Sequence, residues 1–295
     1  MGSGLQQLPR RLVHRGRRRF TDYRSSHRFP GIDHLGIKGA RLSFGYAQGT
    51  ELYRTIAAGW SYEQDVMATL LTCLSGDDDA IFVDVGANIG YFPVVVRKLL
   101  GKRVQCIAYE PAANLVAVIH RGCQINNVEL DVREAAVGKE SGSATFYLSA
   151  QSDASNSLNP RFRKHRGELD VRVTTLDDDL LPSLPTTLPA RPILLVDTET
   201  TEPEVLAGAE QLIRAHRPGI ICEVLAGRTE GQIQDFVERS SYAAYALTDA
   251  GPERRDHVVG DSTYAHRDWL LWPAESTPPI ESIRQTLGEL QQHAG

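Results

Sequence analysis

The chain has 295 residues, of which 41% are hydrophobic and 23% charged, with a formal net charge of −5. Those proportions fit a globular protein, and the acidic balance argues against nucleic acid as the main partner. No apolar run approaches a membrane span, the N-terminus lacks the apolar core of a signal peptide, and Cys73, Cys106, Cys123 and Cys222 form no C-x-x-C pair, so membrane insertion, zinc and a disulfide framework are disfavoured and a cytoplasmic location is expected.

Residues 1–28 carry Arg10, Arg11, Arg15, Arg17, Arg18, Arg19 and Arg24 against the single acid Asp22. This basic arm reads as a solvated tail or a subunit contact ahead of a site for an anionic surface such as a lipid headgroup or an acidic partner, and Leu5 and Leu12 are too few for a membrane-inserting face. Around Gly36 and Gly39 the loose alternation of 33–47 predicts a short β-hairpin. A helix is predicted over 61–74, with Ser61 and Gln64 as a capping box and Val66, Met67, Leu70, Leu71 and Leu74 as its apolar stripe. Strands and helices then alternate: strand 81–85, helix 91–100, strand 104–109, helix 112–125, strand 130–136. Phe146-Tyr147-Leu148 reads as an inserted antiparallel strand, and 150–168 as a polar, basic stretch without periodicity. Strand 171–174, a proline-rich link over 182–192, strand 193–196, helix 203–215, strand 220–224, helix 230–239, strand 243–248 and a closing strand at 269–273 follow. Ile280, Ile283, Leu287 and Leu290 share one face of a tail helix that packs on the core or on a second subunit. The expected division is an arm with hairpin over 1–50, a principal domain over 51–275 and the tail over 276–295. A homo-oligomer is compatible with it.

The most informative run is Ile81 to Gly90, Ile-Phe-Val-Asp-Val-Gly-Ala-Asn-Ile-Gly. An apolar strand enters an acid, a two-glycine loop and a helix, which is how open α/β sheets build a pocket at the carboxyl end of the first strand. About 20 positions beyond the loop, Glu110 closes a second apolar run, the place where such folds hold a ribose diol. The spacing is Asp84-x-Gly86-x-Asn88-x-Gly90, not the G-x-G-x-x-G that serves a pyrophosphate, and no P-loop pattern occurs. A ligand with a ribose and a zwitterionic tail but no phosphate suits the loop, and S-adenosylmethionine is that ligand. The glycine spacing disfavours an NAD-dependent oxidoreductase.

Five blocks occur in one order: Asp84 to Phe92; Tyr109-Glu110-Pro111; Ala136-Val137-Gly138; Thr175-Leu176-Asp177-Asp178; and Asp197-x-Glu199-x-x-Glu202-Pro203-Glu204-Val205-Leu206-x-Gly208-Ala209-Glu210. Over roughly 60–225 the chain resembles the FkbM family of S-adenosylmethionine-dependent methyltransferases. The resemblance implies a Rossmann-like class I methyltransferase fold, with a mostly parallel seven-stranded sheet, helices on both faces and an N-terminal hairpin and helix extension. It also implies an enzyme that methylates a hydroxyl of a sugar, glycolipid or polyketide-type natural product, so that the partner is a small-molecule or glycan acceptor. Carried over to this chain, Gly86, Ala87, Asn88, Gly90 and Tyr91 belong to the methionine end of the cofactor site. Asp84 orients that loop, Glu110 with Pro111 serves the ribose, and Ala135 and Ala136 meet the adenine edge. Ser157 and Asn156 line the mouth.

The acceptor side is read from position. Asp197 ends a core strand on the cofactor rim, Glu199 follows, and Glu223 ends the next strand. Asp197 or Glu199 is expected to orient or deprotonate the acceptor hydroxyl, with Glu223 nearby. Glu202, one place before Pro203, suits a helix N-terminus. Magnesium between Asp197 and Glu223 is compatible with hard oxygen ligands, but no ligand set demands it. Where the family usually reads Asp-Val-Glu-Gly-Ala-Glu, this chain has Thr200 and Thr201 in place of the glycine and alanine. His165, in the basic run Arg161 to Arg166, reads as a solvated histidine ahead of a lid base, and those arginines suit an anionic acceptor. The competing reading is an S-adenosylmethionine-binding partner subunit with weak catalysis.

Overall fold

The computed structural model describes residues 34–37, 40–47, 50, 53–54, 62–76 and 78–292. The basic arm and Ser61 lie outside them.

Strands β1 (His34–Ile37) and β2 (Ala40–Ser43) form the expected hairpin. Helix α1 runs over Gln64–Cys73, later than the spacing predicts. Glu63 stands at its N-cap with φ 40° and makes no capping bond, because its carboxylate is committed to Arg267 instead.

The main sheet is built from β3 (Ala80–Val85), β4 (Val104–Tyr109), β5 (Asp131–Arg133), β9 (Ile193–Val196), β10 (Gly219–Glu223), β11 (Tyr242–Thr248), β12 (Gly251–Arg255) and β13 (Asp268–Pro273). Their order is β12-β11-β13-β10-β9-β3-β4-β5. It is mostly parallel in its central part, where β10, β9, β3, β4 and β5 pair in parallel, and β13 enters antiparallel between β10 and β11. The sheet has eight strands rather than seven, because Gly251 turns the chain back and β12 adds an edge beside β11. Central strands such as β3 and β9 are buried along their whole length, which is why they read as continuous apolar runs and not as alternating ones.

The predicted strand over 130–136 is two strands. β5 pairs with β4, and β6 (Ala136–Val137) leaves to pair with β8 (His165–Thr174). With β7 (Gly142–Ser149) these form a separate three-stranded sheet above the pocket. The basic stretch from His165 onward is thus strand, not loop. The predicted helix over 203–215 is also two, α5 (Glu202–Ala207) and α6 (Glu210–His216). Gly208 separates them, pressed so closely on the Gly138 carbonyl that a Cβ would lie 2.0 Å from its oxygen.

Before them come α2 (Tyr91–Leu100), α3 (Ala113–Asn126) and α4 (Leu176–Asp179), and after them α7 (Glu230–Arg239). The tail helix α8 (Ile280–Gln292) buries Ile283, Leu287 and Leu290 in the core cluster that includes α1. Gln64 donates to the Leu290 carbonyl at 3.1 Å.

Among the described residues no helix is long and apolar enough to cross a membrane. From β3 the chain moves outward through β4 and β5, then returns to β9 on the other side of β3. The crevice at the carboxyl ends of β3 and β9 is the switch point where such sheets take ligands.

Candidate functional site

At that switch point β3 and β9 run in register, Asp84 opposite Leu195 and Val85 opposite Val196, and the Asp197 amide donates to the Val85 carbonyl at 3.1 Å. Asp197 therefore lies two positions beyond the register partner of Asp84, and its charge reaches Asp84. Gly86 has φ 93°, and a Cβ on it would stand 2.0 Å from the Asp197 carbonyl oxygen. Only glycine lets the two strand ends approach this closely. The Gly86 and Ala87 amides both donate to the Tyr109 carbonyl at 3.0 Å, which draws the loop over the end of β4.

Glu110 is 4% exposed. Its Oε2 accepts from the Asn88 amide and its Oε1 from the Ala112 amide, both at 2.9 Å. Burial pushes its pKa up to about 7, against the pull of those two amides. Each carboxylate oxygen keeps a further lone pair for a donor in the cavity. Asp84 is 2% exposed, and its Oδ2 has no hydrogen-bond partner among the described residues. Burial first, then the charges of Asp197, Glu110 and Glu63, hold its pKa far above the carboxylate range. A buried acid with an unmet oxygen facing a cavity suits a cationic ligand.

The cavity measures about 340 Å³. Asp84, Gly86, Ala87, Asn88, Tyr91, Glu110, Pro111, Ala135 and Ala136 all line it, as do Asp197 and Glu199. Three predicted site residues stand elsewhere. Gly90 sets the start of α2 against the Ile119 side chain and does not line the cavity. Ser157 lies outside the wall and donates its hydroxyl to the Glu199 carbonyl at 2.7 Å. Glu223 is fully buried beneath the rim. Asn156 does line the cavity, while its Oδ1 accepts from the Ser149 amide at 2.9 Å. His165 sits in β8 beside Glu168, at 3.3 Å, and packs on the Tyr147 ring, away from this cavity.

On the acceptor side, carboxylate oxygens of Asp197, Glu199 and Glu223 lie within 4.8 Å of one another. Burial is the first cause raising all three pKa values; for Glu199 and Glu223 the next is the Asp197 charge. Reading the chain in local windows misses the group that steadies them. Arg267 precedes β13, and its guanidinium meets Glu223 at 3.1 Å and Glu63 at 2.5 Å. Surrounded by Glu223, Glu63, Asp268 and Asp197, it stays protonated in spite of burial. Three oxygens so disposed could seat a divalent cation, yet Arg267 already supplies positive charge to the cluster, so the arrangement does not require one. Glu202 is fully buried, and its Oε1 accepts from the Thr198 amide, the Thr198 hydroxyl and the Thr200 amide at 3.0–3.1 Å. It braces the rim loop from behind, as a helix-entry acid should. Tyr62, Phe146, Arg163 and Tyr264 also line the wall; of these only Arg163, in the basic run, is marked in the sequence, as an acceptor group.

A mostly parallel sheet with a glycine loop, a downstream glutamate and an acidic rim at its switch point defines a Rossmann-like methyltransferase. The profile of the methyltransferase FkbM domain matches residues 84–272, well over half of the chain. The chain belongs to the FkbM methyltransferase family. Among curated proteins nothing matches. Methyltransferase FkbM from Methylobacillus flagellatus KT, a solved structure, is similar at 13% identity and a TM-score of 0.45. The match covers 75% of this chain and 60% of that one, so this chain spans less than two thirds of that relative. An O-methyltransferase from Bacillus cereus in complex with SAH is similar at 14% identity and a TM-score of 0.42, over 75% of this chain and 86% of that one. A putative O-methyltransferase from Klebsiella pneumoniae is similar at 15% identity and a TM-score of 0.41, over 72% and 80%.

Proposed function

We propose that this methyltransferase uses S-adenosylmethionine to methylate a hydroxyl of a small-molecule acceptor, such as a sugar, glycolipid or polyketide-type product. The observation that carries the reading is the pair Asp84 and Glu110. One is a buried acid with an unpartnered oxygen, the other a buried acid with lone pairs to spare, and both line one cavity beside a glycine turn. That pairing suits a ligand with a cationic end and a ribose diol.

When bound, the cofactor supplies a methyl group on a positively charged sulfur, ready for in-line displacement. Glu110 accepts hydrogen bonds from the two ribose hydroxyls and so fixes the nucleoside end. Asp84 would hold the cofactor's ammonium. Asp197 or Glu199, on the same rim, would hold the acceptor hydroxyl and take up its proton. Burial raises the pKa of both, and at Glu199 the Asp197 charge adds to it. Glu223 lies behind them, with a carboxylate oxygen within 4.8 Å of theirs and an ion pair to Arg267. The acids Asp84, Glu110, Asp197 and Glu199 outnumber Arg163 and Arg267 in the wall, which favours an uncharged acceptor over an anionic one. The same reading divides the chain into an arm with hairpin (1–50), a methyltransferase domain (51–275) and a tail helix (276–295).

Isothermal titration against S-adenosylmethionine, S-adenosylhomocysteine and NAD tests the cofactor. Binding of the first two without the third is expected, and the reverse refutes the reading. Transfer of a labelled methyl to a panel of sugars and polyketide alcohols tests the acceptor class. No transfer to any member, with cofactor binding intact, favours the weakly catalytic partner subunit.

A further inference from the structure

Between β7 and β8, residues 150–164 bring Ser152, Ala154, Ser155, Asn156, Leu158 and Arg163 into the cavity wall. This loop is tied to its own hairpin. Ser157 exchanges backbone hydrogen bonds with Tyr147 at 2.9 and 3.2 Å, and the Ala150 amide donates to the Lys164 carbonyl at 2.9 Å. Two side chains then cross from it to the rim that follows β9. Ser157 donates to the Glu199 carbonyl, and Asn159 Nδ2 donates to the Thr200 hydroxyl at 2.8 Å.

The receiving residues are unusual. Glu199 has φ 57° and Thr200 has φ 90°. Positive φ is a genuine outlier for a β-branched residue, and glycine adopts it freely. A threonine that keeps a glycine-like conformation brings one thing a glycine lacks, its hydroxyl, and that hydroxyl is what Asn159 holds. From the other side Glu202 accepts the Thr200 amide and both Thr198 donors. The Glu199–Thr200 pair is thus pinned between the buried helix-entry acid and the loop.

We infer that Asn159 and Thr200 form a latch that seats loop 150–164 over the cavity and, with Ser157, fixes the Glu199 carboxylate on the acceptor side. Asn159, Ser157 and Thr200 are positioning residues, since they act through the loop and through Glu199. The functional part of this inference rests on the proposed cofactor reading; the latch itself does not.

The test compares Thr200→Val, which keeps the shape and loses the hydroxyl, with Thr200→Ser, which keeps the hydroxyl. Asn159→Ala, the Asn159→Ala/Thr200→Val double variant and Thr200→Gly complete the set. Two quantities are read: amide hydrogen exchange of 150–164 and 197–201 in the free protein, and the dissociation rate of S-adenosylhomocysteine. Losing one such bond is worth about fivefold. Thr200→Val and Asn159→Ala should each speed exchange and release by about that factor, the double variant by no more, and Thr200→Ser should restore both. Thr200→Gly should release ligand as fast as Thr200→Val while its thermal midpoint holds or rises, because the strained φ is relieved; a purely structural role would move midpoint and release together. Wild-type exchange and release in Thr200→Val, or additive effects in the double variant, overturn the latch. Should Thr200→Val fail to fold, Thr200→Gly and Asn159→Ala decide. If the wild-type protein does not bind S-adenosylhomocysteine at all, the cofactor reading fails, and the exchange measurements still decide the latch.

Discussion

Gly86→Ala tests whether the close approach of β3 and β9 builds the site. Its Cβ would lie 2.0 Å from the Asp197 carbonyl oxygen, inside the 3.0 Å that real Cβ atoms keep. The strand ends must therefore part by about 1 Å, a typical overpacking change costing about 2 kcal/mol. The parting stretches the Asp197 amide bond to the Val85 carbonyl, now 3.1 Å, which costs about 1 kcal/mol more. The φ of 93° adds about 1 kcal/mol for any residue with a Cβ. The total, about 4 kcal/mol, is a large part of a typical domain's stability. With a urea slope of about 3 kcal/mol/M, the unfolding midpoint should fall by about 1.3 M. Gly227→Ala is the control: φ is 70° there, but no described residue stands within 4 Å of the added Cβ, so only the conformational part applies and the midpoint should fall by about 0.3 M. Affinity for S-adenosylhomocysteine should also drop in Gly86→Ala and not in Gly227→Ala. Equal midpoints for the two variants, with ligand affinity unchanged in both, would refute the close-approach argument.

Other outcomes follow from the buried acids. Glu110 and Glu202 are both pushed up to about 7, from an ordinary value of 4.5 that the unfolded chain keeps. The folded state therefore holds protons that the unfolded state has released, and the stability this confers is present below pH 4.5 and lost as pH rises to 7. The urea midpoint of the free protein should decline over that interval. Affinity for S-adenosylhomocysteine should run the other way, rising through pH 7 as Glu110 ionises to receive the ribose hydroxyls, and Glu110→Gln should remove that rise; titration calorimetry from pH 5.5 to 8.5 reads it. Arg267→Met strips the cation from Glu63 and Glu223 and should cost about 3 kcal/mol at pH 8, less at pH 5 where the acids protonate, as paired urea melts will measure. Asp197→Asn should leave S-adenosylhomocysteine affinity within about twofold and reduce methyl transfer to a competent acceptor by about a hundredfold or more; full-rate transfer removes Asp197 as the base.

Local pattern carried most of the elements because the core strands are short apolar runs between glycine turns, and β3, β4 and β9 stand within a residue of where those runs lie. It failed where a neighbour distant in sequence decides. The continuous run 130–136 hides a change of sheet between Arg133 and Ala136, and that change depends on β8, some thirty residues later. Helix periodicity runs smoothly through 203–215, but the break at Gly208 is set by the Gly138 carbonyl. Polar residues in 150–168 look like solvated loop because β8 exposes most of its length and pairs through backbone groups.

The candidate site divides along the same line. Asp84, Gly86 and Glu110 are legible because strand, turn and strand are contiguous and the spacing itself encodes the pocket. Arg267 is not, since its partners Glu63 and Glu223 precede it by 204 and 44 positions and a lone arginine before an apolar strand carries no signature. Thr200 is the instructive case. From sequence alone, replacing a rim glycine by threonine removes easy access to positive φ and argues for a narrower pocket with an added hydroxyl. In the structure Thr200 takes φ 90° all the same, because Glu202 holds its amide and Asn159 its hydroxyl. Strain of about 1–3 kcal/mol at such a residue persists only when its surroundings over-determine it, and here Glu202 and Asn159 do so from two elements. A substitution that looks disruptive in one dimension is an added tie in three, and the loop it ties is the one that closes the cavity.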